Sequence, residues 1–489
     1  MTELGSKTDL KKKAVRGGAI SMAARFSTIG IQICSIIILS RLLSPDDFGI
    51  IAMITAITAF MSLFRDLGLS AASIQKGELS PSQTNALFWL NVAAGLFLTI
   101  AVMLSAPLIA WFYDRPELQS ITVLLATTFI IASVGAQHAA LMQRELRFGP
   151  KVIGDIAGAA VTLIISIALA LMDYSYWSLA WGTVIGAAVT TACYFKGSRF
   201  RPGLPRPAQG LRSLLGFGAN VTAFEIVNYF HRNLDSVLIG RTWGAEALGH
   251  YSRAYQMMML PISSLRAPIN AIAFPVLSRL QNEPEDFRRY YNRIASLLAF
   301  ISMPLMAFLT INSENVVSVA LGKEWMDVAP IFALLGITGI IQPVASLRGL
   351  VLLSLGQTRL YLIWGIVNAA AVCAGFFIGV QWGPVGVALS YAIVNYALLY
   401  PSLVFFFRHT PLKPLHFFTS IALPSTATLL AAVATYVANS KYLDTLDPIY
   451  ALTCSAAVFG TLFLAALFAL PGGKRTLTDY HSMLRMIKK

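Results

Sequence analysis

Four arginines stand where arginine is costly. Arg25, Arg65, Arg266 and Arg348 all fall inside long apolar runs of the 489-residue chain. A guanidinium in such a run usually faces a water-filled cavity or a partner rather than hydrocarbon. Its planar fork bonds two oxygens of one anion at once, which suits phosphate or pyrophosphate. At about 1.5 Å per residue, Arg65, Arg266 and Arg348 fall near the inner ends of their runs. Arg25 lies about eight residues into the first run from the same side, or about 12 Å. Snorkelling to the interface is the competing reading for Arg65, Arg266 and Arg348. Arg25 is deeper and is expected in a cavity.

Three carboxylates share these runs: Asp155, Glu225 and Asp235. Asp155 follows Lys151 by four residues and Asp235 follows Arg232 by three, spacings at which side chains meet on a helix. Local pairs are expected at both. Glu225 lies 200 residues after Arg25. The expectation is a charge pair across a cavity that opens when an anion competes for Arg25, with Glu225 then free to take up a proton. Two unrelated cavity residues are the alternative.

Enzymatic signatures are missing. No GxxxxGK[ST] occurs, since Gly472-Gly473-Lys474-Arg475 lacks the spacing, and no HExxH occurs. Asp46-Asp47 is an acidic doublet, but on the side away from cytoplasmic sugar nucleotides. Cys34, Cys193, Cys373 and Cys454 form no CxxC pair, so neither zinc nor a disulfide framework is indicated. They are expected as small buried hydrophobes. No enzyme, cofactor or metal is expected.

The elements that must hold these groups follow from composition. Apolar residues make up 56% and charged residues 12%, with a mean hydropathy of +0.67. Soluble domains carry about 25% charged residues, so soluble and disordered classes are excluded. Crossing a bilayer takes about 20 apolar residues. Fourteen runs qualify, at 17–40, 48–70, 84–111, 118–140, 152–172, 176–195, 213–240, 248–278, 291–312, 328–355, 358–379, 383–408, 416–437 and 449–470. They are continuous rather than alternating, which excludes a β-barrel. The first is too long for a signal peptide and reads as an uncleaved span.

The net charge of +14 would suggest nucleic acid on a soluble chain. Here its distribution decides. With the N-terminus inside, 26 Lys and Arg lie in inner segments and 6 in outer ones (Arg41, Arg115, Arg241, Arg253, Lys323 and Lys441). That is the positive-inside pattern, with both termini cytoplasmic. The charge anchors the chain in a membrane and implies no nucleic acid. The tail places Leu477, Tyr480, Leu484 and Ile487 on one basic-flanked face, which suits a helix on the anionic inner leaflet.

The chain repeats itself. Ile38-Leu39-Ser40-Arg41 with Asp46, Phe48 and Gly49 returns as Leu238-Ile239-Gly240-Arg241 with Glu246, Leu248 and Gly249. Six spans separate the copies, so the repeat is parallel, about an axis along the membrane normal. The organisation expected is an N-terminal lobe (1–195, helices 1–6), a Pro/Gly-rich cytoplasmic linker (196–212), a C-terminal lobe (213–408, helices 7–12), and helices 13–14 with the tail (409–489). Pro261, Pro268 and Pro275 in one helix mark a place to bend.

Several of these motifs together resemble a known family. Leu39-Ser40-Arg41-Leu42-Leu43-Ser44-Pro45-Asp46-Asp47-Phe48-Gly49, Asp66-Leu67-Gly68-Leu69-Ser70, Gln143-Arg144-Glu145-Leu146-Arg147-Phe148 and Asn233-Leu234-Asp235-Ser236-Val237-Leu238-Ile239-Gly240-Arg241 are similar to segments of bacterial polysaccharide flippases. These are the Wzx-type, WzxC-like members of the multidrug/oligosaccharidyl-lipid/polysaccharide exporter superfamily. The resemblance implies an all-α membrane protein with two six-helix lobes in a V shape plus two extra helices. It also implies transfer of undecaprenyl-pyrophosphate-linked oligosaccharide to the periplasmic leaflet of the inner membrane. Membrane lipids, a polysaccharide polymerase and a co-polymerase are the further partners it implies. A cation-coupled drug exporter and a peptidoglycan-precursor flippase of the same superfamily are the alternatives. More Arg than Asp or Glu in the spans favours an anionic cargo.

Overall fold

The computed structural model describes residues 7–65, 73, 79–205, 211–443 and 446–474, with side chains from residue 24 onward and, in the seventh helix, from residue 233. Every regular element among them is a helix. In hydrocarbon an unpaired peptide group costs several kcal/mol, and a helix satisfies its own. The order is α1 (Lys7–Leu42), α2 (Pro45–Ser62), α3 (Pro81–Tyr113), α4 (Glu117–Arg144), α5 (Phe148–Ala170), α6 (Tyr176–Gly197) and α7 (Leu211–Arg279). It continues with α8 (Pro284–Ile311), α9 (Ser313–Ala320), α10 (Val328–Ala345), α11 (Leu347–Ser354), α12 (Thr358–Gly379), α13 (Gly383–Ala397), α14 (Leu399–Phe407), α15 (Pro414–Ala438) and α16 (Pro448–Ala469).

Twelve stretches among the described residues are long and apolar enough to cross a membrane. Two have double length: Asn233–Arg279 with 47 residues and Thr358–Phe407 with 50. At about 1.5 Å per residue each exceeds twice the hydrocarbon thickness of about 30 Å. Both break at a glycine with positive φ, Gly244 (86°) and Gly383 (72°), a backbone state that side chains disfavour.

Helix starts follow the local sequence. Ser44 caps α2 in a capping box: Asp47 N donates to Ser44 Oγ (3.3 Å) and Ser44 N to Asp47 Oδ2 (2.9 Å), with Pro45 in the first turn. Ser80 and Gln83 repeat the device at α3, before Pro81. The acidic doublet Asp46-Asp47 thus has structural work. Asp47 also accepts from the Ser175 hydroxyl, and Asp46 pairs with Arg115 at 3.1 Å.

The chain divides into two compact units, Met1–Gly249 and His250–Lys489. In the first, α5 and α6 approach closely along small residues. A Cβ at Gly158 would strike Thr190, and one at Gly186 would strike Thr162. Such small-residue faces allow the van der Waals contact that associates helices in lipid. In the second, the largest core joins Phe287, Tyr291, Leu298, Val351, Trp364, Leu403 and Phe406. A smaller one stacks Phe459 on Phe463. Outward faces stay apolar, as at Phe97, Leu104 and Trp111 on α3. Cys34 and Cys454 are exposed on such faces, contrary to the expected burial, because thiols tolerate lipid as readily as a core.

The first part of the 196–212 linker is docked on the first unit. Asn85 Nδ2 donates to Leu204 O (2.6 Å), Gly203 N to Asn85 Oδ1 (2.8 Å), and Trp89 Nε1 to Gly203 O (2.8 Å). Arg201 lies over the Phe195 ring at 5.3 Å and donates to the carbonyls of Phe195, Ser198 and Phe200. An Asn85→Leu/Trp89→Phe variant is expected to lose three bonds at about 1 kcal/mol each. Trypsin cleavage after Arg199 in detergent should then rise several-fold while the melting transition stays cooperative. An unchanged digestion rate would count against the clamp.

Candidate functional site

The repeated motif builds one end of the first unit. Gly49, in the first turn of α2, meets the Ala245 carbonyl so closely that a Cβ would collide with it. Gly249 meets the Pro45 carbonyl in the same way. Positions 45 and 245, and 49 and 249, are each 200 residues apart, so the two contacts are the two halves of one reciprocal arrangement. Behind it lie Ile50, Met53, Ile239, Ala245 and Leu248, all essentially excluded from solvent. The kink at Gly244 returns the chain so that its second half can present Gly249. Arg115 bonds Asp46 and Glu117 (3.0 Å), and Arg241 covers the Phe112 ring at 5.7 Å. The hairpin arginine is thus partly neutralised by a π face rather than by a carboxylate.

The four arginines do not form one cluster. Arg25 and Arg65 belong to the first unit, Arg266 and Arg348 to the second. Arg25 is exposed on α1, and the other three are half-buried. Arg65 follows α2 in a turn, with Nε buried and unbonded. Arg266 is 201 residues later on the second half of α7, within one residue of the repeat offset, so the two stand at equivalent positions of the repeat. Arg348 stands over the Phe406 ring at 5.9 Å. No described carboxylate forms an ion pair with Arg65, Arg266 or Arg348.

The carboxylates behave differently. Asp155 pairs with Lys151 at 2.9 Å, one turn away, and accepts from the Tyr194 hydroxyl of α6. Lys151 also lies over the Tyr194 ring at 5.9 Å. Asp155 therefore ties α5 to α6. Asp235 is buried, with Oδ1 accepting from Ser236 N at 2.7 Å. The side chains of Glu225 and Arg232 lie outside the described residues, and with them the expected Arg25–Glu225 and Arg232–Asp235 pairs. The amphipathic tail lies outside them as well.

Two buried groups were not singled out from the sequence. Arg253 was counted in an outer loop, but it is inside α7 and 7% exposed, with Nη1 bonded to Gln256 Oε1 at 2.6 Å. The run 248–278 already contains it, so its assignment to the outer segments fails and the span does not. The i,i+3 spacing of Arg253 and Gln256, with Tyr251 and Tyr255 one turn apart and stacked, was the available signal. His138 is fully buried with neither ring nitrogen bonded, walled by Phe195 (4.8 Å), Phe200 (5.5 Å) and Phe88 (5.9 Å). A lone histidine in an apolar run carried no signal. Among the described residues no three His, Cys, Asp or Glu side chains gather as a metal-ligand set.

Residues 38–330, more than half of the chain, match the family model described as polysaccharide biosynthesis protein. The chain is 28% identical over 393 residues to the lipopolysaccharide biosynthesis protein WzxC of Escherichia coli K12, covering 79% of each. It is 29% identical over 364 residues to the teichuronic acid biosynthesis protein TuaB of Bacillus subtilis 168, covering 72% of this chain and 75% of that one. It is 23% identical over 430 residues to the succinoglycan biosynthesis transport protein ExoT of Rhizobium meliloti 1021, covering 86% of each. In fold it is similar to the lipid II flippase MurJ in an inward closed conformation, with a TM-score of 0.76 at 13% identity over 92% of this chain and 98% of that one. An inward-facing multidrug MATE transporter matches with a TM-score of 0.61 at 13% identity, over 85% and 99%. The chain belongs to the polysaccharide biosynthesis protein family, as a multi-pass membrane protein with the fold of the multidrug/oligosaccharidyl-lipid/polysaccharide exporter superfamily.

Proposed function

We propose that the protein carries undecaprenyl-pyrophosphate-linked oligosaccharide repeat units from the cytoplasmic to the periplasmic leaflet of a bacterial inner membrane. The units feed synthesis of a surface polysaccharide. The observation that carries this reading is the polarity of each repeat. The reciprocal glycine contact lies at the start of the second helix of each copy, and Arg65 and Arg266 lie about 30 Å, one hydrocarbon thickness, further along. A seam closed on the periplasmic side, with arginines toward the cytoplasm, is what an inward-facing carrier of a pyrophosphate head needs. The names of the relatives, which concern lipopolysaccharide, teichuronic acid and succinoglycan, support the same cargo class.

In this reading both termini are cytoplasmic, and the two double-length stretches each cross twice, which makes fourteen crossings. The lobes keep the boundaries 1–195 and 213–408, and they alternate access about the axis of the repeat. Arg25, Arg65, Arg266 and Arg348 engage the pyrophosphate in turn. Glu225, with Asp155 and Asp235 as the other span carboxylates, provides coupling. A polymerase and a co-polymerase receive the product.

A strain deleted for the gene and lacking related flippases should lose surface polysaccharide and accumulate the lipid-linked unit in the inner leaflet. Normal polymer output would overturn the reading. In that strain Arg65→Gln and Arg266→Gln should each restore no more than about a tenth of wild-type output, since a bond to a charged group contributes about 1.5–3 kcal/mol. The Lys variants, which keep the charge without the fork, should restore more.

The seam makes a separate prediction. In a chain without native cysteines, Met53→Cys should resist a membrane-impermeant maleimide added from the periplasmic side. Adding Gly49→Ala should raise its labelling about tenfold, because a methyl group forced against a backbone carbonyl costs about 1–3 kcal/mol. Gly249→Ala should do the same. Continued protection of Met53→Cys in both variants would show that the barrier lies elsewhere.

A further inference from the structure

In the second unit two buried hydrogen-bond donors and a half-buried arginine lie against the rings of Phe406 and Phe407. Arg348 lies over the face of Phe406, with its guanidinium carbon 5.9 Å from the ring centre. Trp364 packs edge-on against the same ring at 5.9 Å. Tyr291 packs edge-on against the neighbouring Phe407 at 5.7 Å and is within electrostatic reach of Arg348. These side chains come from α8, α11, α12 and α14, so the cluster is assembled by the fold and not by one helix. Tyr291 is 1% exposed and Trp364 9% exposed. The Tyr291 hydroxyl and the Trp364 indole N–H have no hydrogen-bond partner. Arg348 has no carboxylate among the described residues.

The chemistry of the set is one-sided. An indole N–H only donates, a guanidinium only donates, and a phenol donates readily. Buried donors without acceptors are destabilising, and a cation without a counter-charge in a span is more so. A water molecule would satisfy one donor but not the charge. A group with several acceptor oxygens and negative charge satisfies all three, and the planar fork of Arg348 fits two oxygens of a tetrahedral anion.

We propose that Arg348, Tyr291 and Trp364 form a phosphate-binding subsite in the second unit, with the Phe406–Phe407 pair as its apolar floor. Arg348 neutralises the anion, while Tyr291 and Trp364 hold it in one orientation. The source assigned to the phosphate rests on the flipping function: it is the pyrophosphate of the carried lipid, entering at the cytoplasmic end. An anionic phospholipid headgroup offers the same oxygens, so the test separates the two.

The purified protein in neutral detergent is titrated with inorganic pyrophosphate, and its thermal unfolding is followed. Ligand that binds only the folded state raises the transition with concentration. Wild type should respond, and Arg348→Gln should need at least about tenfold more pyrophosphate for the same shift. Tyr291→Phe keeps the ring and deletes only an unbonded hydroxyl, so it should fold with unreduced basal melting; Trp364→Phe also removes one ring of the indole from the core and should melt somewhat lower. Each should nevertheless weaken the response several-fold. An unchanged response in both Phe variants would overturn the subsite, as would no response in wild type.

Nanodiscs of phosphatidylcholine with and without phosphatidylglycerol, and with undecaprenyl phosphate, identify the source. Stabilisation by undecaprenyl phosphate that needs Arg348 supports the carried lipid. Stabilisation by phosphatidylglycerol alone keeps the phosphate site but overturns its assignment to the cargo. Complementation of the deletion strain reports flipping independently. Full polymer output from Tyr291→Phe alongside lost pyrophosphate binding would remove the subsite from the transport cycle and leave the flipping function standing.

Discussion

Every polar group placed in hydrocarbon must find its partner inside the chain. The helices answer this for the backbone, and the side chains follow the same rule. Thr99, Thr162, Thr190 and Thr310 each return their hydroxyl to the carbonyl one turn back, at 2.7–3.0 Å. Asp155 is held by Lys151 and Tyr194. Asp47 is spent on a helix cap. Against this background of closed accounts, the open ones identify themselves. The Tyr291 hydroxyl, the Trp364 indole N–H and both ring nitrogens of His138 are among the buried groups with no partner among the described residues, and the first two pack against adjacent phenylalanines of α14.

The same constraint explains where the chain is allowed to bend. A break in a span frees peptide groups, so breaks occur where glycine permits a tight reversal, at Gly244 and Gly383. Gly244 brings Gly249 against Pro45 and Ala245 against Gly49, and an arginine on each side of that junction is handled locally. Arg115 takes the carboxylates, and Arg241 takes a ring face. Close backbone contact and compensated charge together make this end of the unit compact. Arg65 and Arg266 lie about 30 Å further along their segments, with no described carboxylate to compensate them.

Much of this was legible in order of residues alone. Each of the fourteen apolar runs is helical over its described residues, because twenty apolar residues in lipid have one backbone solution. The 200-residue offset was visible since arginine and glycine are rare enough in spans to mark a register. Asp155 with Lys151 followed from helical spacing. The rest depended on neighbours from distant helices. That Asp46 and Asp47 serve Arg115, Ser44 and Ser175 needs three other segments. That Arg348 sits among Tyr291, Trp364 and Phe406 needs three other helices. Arg253 lies within the run 248–278, and its burial shows that an arginine near the start of a run need not belong to the outer segment.

The glycine contact carries a consequence for how such a chain can change over evolutionary time. It is an isologous interface, the kind found between identical subunits of a two-fold dimer, but here both partners are encoded in one gene. A substitution that enlarges position 49 therefore cannot be accommodated by its own half. It needs a shift at 245, in the other copy, and the same holds for 249 and 45. The duplicated halves are free to diverge in their lipid-facing surfaces, yet at these four positions they must evolve as a single unit, as two subunits would if they had never been fused.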